Sequence, residues 1–303
     1  MKHLFIMNPM SGSKKAAKFL PDIERYFEGR EDEYSILYAQ HPTHIKELCE
    51  EYAKKGGYRI YVAGGDGSVN QAANGVAGYD TPIGILPTGS GNDFIKNLTD
   101  YAKLKDLVKR TVEGDVIKVD AIKLYDEELF GYCINILSIG VDAEAAYNST
   151  QITRKYGITG MLAYLLGFFR VLRQKKTKFD VKITIDGQVI NDGYVMLAAC
   201  TNGKYYGGGF IPVPHTSFDD GIIDMCIAEA RGLDFVFSVL PKYMKGKHAG
   251  TVGIIFPKGK SISLESKDML KVNIEGEIIE RRSIRMEIMP RLISFIKPKD
   301  LQE

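Results

Sequence analysis

The chain has 303 residues, 45% hydrophobic and 26% charged, with 40 Lys and Arg against 38 Asp and Glu and a formal charge of +2. That length suits two cores better than one, at roughly 150 residues per domain, and the composition excludes a disordered chain. The charge balance removes the electrostatic case for a nucleic-acid partner, and Cys49, Cys133, Cys200 and Cys226, with no CxxC spacing, suit a reducing cytoplasm better than disulfides or zinc.

The opening MKHLFIMNPMSG has only a short apolar run before Asn8 and Pro9, so it reads as a first strand rather than a secretory signal. After the Leu4 to Met7 strand, Lys14 to Phe27 has helical spacing, Ser35 to Ala39 reads as a strand, and His44 to Lys55 as a helix closed by Gly56 and Gly57. Arg59 to Ala63 is a third strand and Ile83 to Leu86 a fourth, each followed by a glycine-rich loop and more helix. Strands separated by helices predict parallel βαβ units.

Beyond Asp115 the pattern changes to closely spaced strands: Val116 to Tyr125, Leu129 to Ile139, Val181 to Ile190, Gly193 to Cys200, Ile222 to Ile227, Ser261 to Glu265, Leu270 to Ile279 and Ile284 to Ile288. Asp186 and Gly187 fit a two-residue hairpin turn. Such a run predicts an antiparallel sandwich or barrel, interrupted by helices near residues 157–173 and 233–245. The longest charge-free apolar stretch, Gly157 to Phe169, is shorter than the roughly 18 residues of a membrane span, so a soluble protein is expected.

Ligands of open parallel sheets bind beyond the carboxyl ends of the strands. Three loops belong there: Asn8 to Ser13, Gly64 to Ser68, and Thr88 to Asp93. Their glycines let backbone N–H groups approach phosphate oxygens, and the helix N-termini that follow add partial positive charge. A lone loop of this kind is usually a tight turn, but three at one edge, two of them carrying Asp, point to a phosphate site. Ser68 and Gln71 also fit a capping box, with Ser68 as N-cap. No Walker A motif occurs, and Gly89-Ser90-Gly91 lacks the third glycine of a Rossmann fingerprint.

The ordered segments NPMSG, AGGDGSVNQAANG, GILPTGSGNDF, DDGIID and IEGE run from Asn8 to Glu277 and resemble the bacterial diacylglycerol kinase family, whose catalytic domain is shared with sphingosine and ceramide kinases. The resemblance implies an α/β plus all-β architecture. Residues 1–122 with 290–303 would form a three-layer, parallel-sheet nucleotide domain of the phosphofructokinase and NAD kinase type, and 123–289 an antiparallel β-sandwich for the lipid, with the active site between the two. It implies ATP and Mg²⁺ as cofactors, a lipid such as diacylglycerol as acceptor, and a cytoplasmic enzyme working transiently at the inner membrane face. A homodimer is left open.

By the same resemblance, ATP would meet Asn8, Ser11, Gly12, Gly64, Gly65, Asp66, Gly67, Ser68, Asn70, Gln71, Gly89, Ser90, Asn92 and Asp93. Asp66, Asp93 and Asp120 would form the catalytic Mg²⁺ network, a sparse carboxylate set that suits this hard cation. Ser217, Asp220 and Ile222 would hold a structural Mg²⁺, although Asp-Gly before a strand is also a routine turn. Glu275, where the family has Asp, is the first candidate for the base and Glu277 the second; acid-Gly pairs are otherwise solvated turns. Ser68 replaces the usual Thr and Gln71 the usual Glu, changes that allow altered substrate choice or slow turnover.

Residues 160–172 form an apolar segment followed by Arg173, Lys175, Lys176 and Lys178. It reads as a core helix with a solvated basic tail, or as a helix that lies at an anionic membrane or walls an acyl chain. Two alternatives to a lipid kinase stay open. One is an NAD kinase-like enzyme, which shares GGDG; the other is a weakly active nucleotide or lipid sensor, motivated by Gln71 and Glu275.

Overall fold

The structure, a computed structural model, describes residues 1–11, 15–100, 105–126 and 129–299. The chain divides into two compact units, 1–119 with 291–303, and 120–290.

In the first unit, strands β1 (Lys2–Met7), β2 (Glu33–Tyr38), β3 (Tyr58–Gly64) and β4 (Ile83–Pro87) pair in parallel in the order β2-β1-β3-β4. The chain returns at its far end to lay Phe295 parallel to Ile83 beside β4. β1, β3 and β4 are apolar nearly throughout and almost wholly buried, as strands covered on both faces must be. The edge strand β2 stays largely exposed. Lys15–Phe19 is a 3-10 turn that leads into α1 (Leu20–Phe27), so the expected helix from Lys14 begins later, with Pro21 in its first turn where a missing N–H costs nothing. Helices α2 (His44–Lys55), α3 (Asp66–Val76), α4 (Ile95–Leu98) and α5 (Leu107–Val112) complete the unit. Phe5, Met7, Ile23, Phe27, Tyr61 and Ile296 share its core.

The second unit is antiparallel. It contains the inner part of β5 (Asp115–Tyr125), then β6 (Leu129–Cys133), β7 (Ile136–Gly140), α6 (Val141–Tyr156), α7 (Gly160–Arg173), β8 (Phe179–Ile185) and β9 (Gln188–Thr201). β10 (Ile223–Glu229), α8 (Leu233–Met244), β11 (Ile254–Ile255), β12 (Lys258–Gly259), β13 (Ser261–Ile274) and most of β14 (Glu277–Lys297) follow. The two long strands β9 and β13 each pair with β8 over one half and β7 over the other, so these four strands form a closed circuit.

Asp186 and Gly187 do make the expected two-residue turn, both at positive φ (48° and 80°). Two expected strands break. Leu129 to Ile139 divides at Ile134 and Asn135, and Leu270 to Ile279 folds back at Glu275 and Gly276, again both at positive φ (53° and 91°). Ser261 to Glu265 and Leu270 to Ile274 are instead one strand with an irregularity in register between them. Helix α6 has no counterpart in the sequence pattern because its buried face includes Asp142, Glu144 and Asn148, which no apolar periodicity would mark. Glu144 is paired there with Lys176 (2.5 Å) and Lys271 (3.3 Å).

His3 is a buried histidine whose Nδ1 lies 2.9 Å from the Tyr61 hydroxyl. Burial pushes its pKa from 6.5 down to about 4, with Asp32 opposing and Arg59 and the N-terminal amine adding to the shift. The unfolded chain therefore takes up a proton that the folded chain refuses. Stability from this site is complete above pH 6.5 and declines as pH falls toward 4, by up to about 3 kcal/mol. Denaturant midpoints of the wild type and His3→Phe should differ by a constant amount above pH 7 and converge or cross below pH 6; parallel curves across that range would refute the assignment.

Candidate active site

The loops that follow β1, β3 and β4 open at one edge of the first unit and are tied to one another. The Asn8 backbone N–H donates to the Ala63 carbonyl (2.9 Å), and its Nδ2 donates to Ser68 Oγ (2.8 Å). The Thr88 N–H donates to the Gly64 carbonyl (2.9 Å), and Thr88 Oγ1 donates to Ser11 Oγ (2.9 Å). Between the second and third loops the backbones meet. A Cβ on Gly89 would lie 2.5 Å from the Cα of Gly65, closer than any side chain allows. Asn92, at φ 48°, rolls the third loop up by accepting from the Gly89 N–H and donating to the Gly89 carbonyl, both at 2.8 Å.

This arrangement brings Asp66 and Asp93 together. A Cβ on Gly91 would lie 3.0 Å from Asp66 Oδ2 and 3.1 Å from Asp93 Oδ2, so both carboxylates converge on that glycine. Asp66 Oδ1 accepts the Phe94 N–H at 2.9 Å. Burial, and then the neighbouring Asp93 charge, raise the Asp66 pKa, while the Phe94 and Asp93 N–H groups and Lys96 oppose the rise. Lys96 Nζ sits 2.6 Å from Asp93 Oδ1 and 3.0 Å from the Gly91 carbonyl. Two crowded carboxylates, with the pKa of Asp66 raised, fit a hard divalent cation. Among the described residues no three His, Cys, Asp or Glu side chains gather for a metal, so such an ion would draw its other ligands from phosphate and water.

The expected capping box is not formed. α3 begins at Asp66 with Gly65 as N-cap, so Ser68 lies within the first turn and its hydroxyl accepts from Asn8. Gln71 makes no return bond, and its Oε1 is buried without a donor. The helix starts earlier than expected because the Asp66 side chain is drawn to the Phe94 N–H. Gly67 and Ser90 are exposed at the loop tips, and the Asn70 side-chain oxygen takes a bond from Asn74. Gly12 lies outside the described residues. The sequence marks Thr88 only as the start of the third loop and Lys96 not at all; the i,i+3 spacing of Asp93 and Lys96 is the one signal that could have found the latter.

In the second unit, Glu275 turns inward from its hairpin. Its Oε1 accepts the Ile134 N–H (2.8 Å), the Asn135 N–H (2.6 Å) and the Cys133 thiol (3.0 Å). This clamp is the reason the β6–β7 strand breaks, and the solvated-turn reading of Glu275 does not hold. The same corner is held by fully buried Asn202, whose Nδ2 donates to the Asp120 and Ile134 carbonyls, both at 2.9 Å. Glu277 is exposed at the start of β14.

Asp120, grouped by motif with Asp66 and Asp93, accepts the Gly221 N–H at 2.6 Å and so braces the turn that carries Asp220 and Ile222. Asp220 accepts the Ile222 N–H (3.1 Å), and the Ser217 hydroxyl donates to Asp219 (2.6 Å). Partial burial, with the nearby Asp224 and Asp120 charges, raises the Asp220 pKa, a surplus of negative charge that fits a cation.

A model of the diacylglycerol kinase catalytic domain matches residues 2–124, and one of the YegS C-terminal NAD kinase beta sandwich-like domain matches residues 135–297. "Putative lipid kinase SAS0691" of Staphylococcus aureus (strain MSSA476) is 30% identical over 278 residues, 88% of this chain and 87% of its own. The chain belongs to the diacylglycerol kinase-like family of lipid kinases. "Putative lipid kinase MW0688" of Staphylococcus aureus (strain MW2) shows the same identity and coverage. The crystal structure of a "putative diacylglycerol kinase" from Bacillus anthracis str. Sterne superimposes with a TM-score of 0.77 at 25% identity, over 98% of this chain and 96% of that one. Membership of a kinase family implies ATP as phosphoryl donor.

The glycines of these loops separate into two roles. Gly89→Ala forces the second and third loops apart and should lower stability by about 1–3 kcal/mol. At Gly67 a Cβ meets nothing within 4 Å, so Gly67→Ala should keep the wild-type melting temperature and lose nucleotide affinity by blocking phosphate approach. Thermal melts with and without ATP check both, and unchanged ATP stabilisation in Gly67→Ala would remove that residue from the site.

Proposed function

We propose that this protein is an ATP- and Mg²⁺-dependent kinase that phosphorylates the hydroxyl of a lipid such as diacylglycerol. The first unit is read as the family's three-layer nucleotide domain and the second as its lipid-accepting β-sandwich. The observation that carries the reading is the convergence of Asp66 and Asp93 on Gly91 within loops rich in N–H donors.

In this reading the loop N–H groups and the first turn of α3, whose N–H groups lack intrahelical acceptors by position, bind the ATP phosphates. Asp66 and Asp93 would hold Mg²⁺ together with phosphate oxygens and water, and Asp120 would support that network. When bound, the ion neutralises charge on the phosphates during transfer. Ser217, Asp220 and Ile222 would hold a second, structural Mg²⁺, the Asp220 carboxylate being its charged ligand.

The acceptor hydroxyl oxygen attacks the γ-phosphorus as the bond to the bridging oxygen of ADP breaks, and its proton passes to a carboxylate of the second unit. Glu275 is the first choice for that base because the Ile134 and Asn135 N–H groups fix its aim. Glu277 is the second.

The test is transfer from γ-labelled ATP to a panel of lipids in mixed micelles, with NAD as a parallel acceptor. Label in an organic-extractable product supports the lipid reading; label on NAD alone overturns it in favour of an NAD kinase-like enzyme. ATP binding without any transfer would support a sensor. Gln at position 275 can still accept the Ile134 and Asn135 N–H bonds, so Glu275→Gln should keep the melting temperature and ATP affinity while turnover falls by about 10²-fold or more. Normal turnover in that variant would assign the base to Glu277.

A further inference from the structure

Helices α7 and α8 both line one cavity of the second unit and both pack a tyrosine near Phe210. The Tyr164 ring of α7 lies 5.0 Å from Phe210, and the Tyr243 ring of α8 lies 6.3 Å from it. Each helix turns its buried face inward, Tyr164 and Phe168 on α7 and Phe235, Val236 and Val239 on α8. The outer faces of such helices are ordinarily polar. Here they are not. On α7, Leu162, Leu166 and Phe169 are 58%, 39% and 49% exposed, and their spacing of four and three residues places them in one stripe. On α8, Leu233 and Phe237 are 48% and 53% exposed at a spacing of four, and exposed Pro241 continues the line.

Both stripes run into cations. Arg170, Arg173, Lys175 and Lys178 are exposed at and just beyond the end of α7, and Lys242, Lys245 and Lys247 are exposed at the end of α8. Lys176 is committed to Glu144, whereas none of these seven has an ion pair among the described residues. Apolar stripes bordered by unpaired cations are complementary to one surface chemistry, acyl chains beneath anionic headgroups. Among the described residues no helix is long and apolar enough to cross a membrane, so the contact is with one leaflet.

We propose that the outer faces of α7 and α8 dock this protein on an anionic lipid surface, Leu162, Leu166, Phe169, Leu233 and Phe237 entering the acyl boundary and the flanking Arg and Lys contacting headgroups. This deepens the lipid kinase reading by naming the face that meets the membrane, and its test needs neither ATP nor turnover.

The full chain is sedimented with phosphatidylcholine vesicles and with the same vesicles doped with phosphatidylglycerol. Binding should require phosphatidylglycerol and weaken as salt rises. Phe169→Glu with Phe237→Glu, and separately Arg173→Glu with Lys178→Glu, should each weaken binding about tenfold or more at unchanged melting temperature. Transfer to a short-chain acceptor dispersed as monomers should be unaffected in both, so loss of docking and failure of the kinase reading are separable. Wild-type affinity of both variants for anionic vesicles would overturn the proposal. A wild-type dimer that Phe169→Glu with Phe237→Glu dissociates, with vesicle binding unchanged, would show instead that a second copy covers this face.

Discussion

The contact on which the candidate site of the first unit depends is backbone against backbone: Gly65 after β3 lies against Gly89 after β4, where a Cβ on Gly89 would come within 2.5 Å of the Gly65 Cα. Because the loops meet there, the Phe94 N–H reaches Asp66, and Asp66 reaches the neighbourhood of Asp93. Two carboxylates held close in a poorly solvated place resist sharing full negative charge. The protein offsets part of that cost locally through Lys96 and backbone N–H groups, and the remainder favours a cation. The same bonds that close the loops, Thr88 to Ser11 and Asn8 to Ser68, leave Gly67 and Ser90 outermost.

The second unit is organised around buried acids in a different manner. Asp142 takes hydroxyl bonds from Ser138, Tyr164 and Tyr206, and Tyr206 in turn lies 3.1 Å from Tyr243. Burial and the Asp142 charge push the pKa values of all three tyrosines upward, so they stay neutral donors. Glu275 is held by N–H groups at a strand break, a geometry that fixes direction more than it supplies stability. Satisfied polar groups of this kind specify one arrangement of an otherwise apolar interior, because any other leaves a buried acceptor unpaired.

What could be read from the sequence followed the length scale of the signal. Continuous apolar runs gave β1, β3 and β4, and small polar loops after them marked the edge where Asp66 and Asp93 meet. The Asp186-Gly187 turn was legible because a two-residue turn with both φ positive restricts residue type locally. The capping box failed because the helix start was decided by a tertiary bond to a loop 28 residues away, from the Phe94 N–H to Asp66. Helix α6 was hidden because its buried face carries acids and an amide whose partners come from other elements. Glu275 was legible as a candidate by motif alone; the clamp from Cys133, Ile134 and Asn135 was not, since it joins residues about 140 positions apart.

Everything proposed for the first unit depends on whether the pair at Gly91 is a cation site that works with nucleotide. Mn²⁺, a paramagnetic substitute for Mg²⁺, can be titrated into the wild type and Asp66→Asn with ATP present, free Mn²⁺ being read by its spin resonance signal. A protein-dependent Mn²⁺–ATP site is expected in the wild type and its loss in Asp66→Asn, with circular dichroism and melting temperature preserved. Equal Mn²⁺ and ATP binding in a folded Asp66→Asn variant would contradict it.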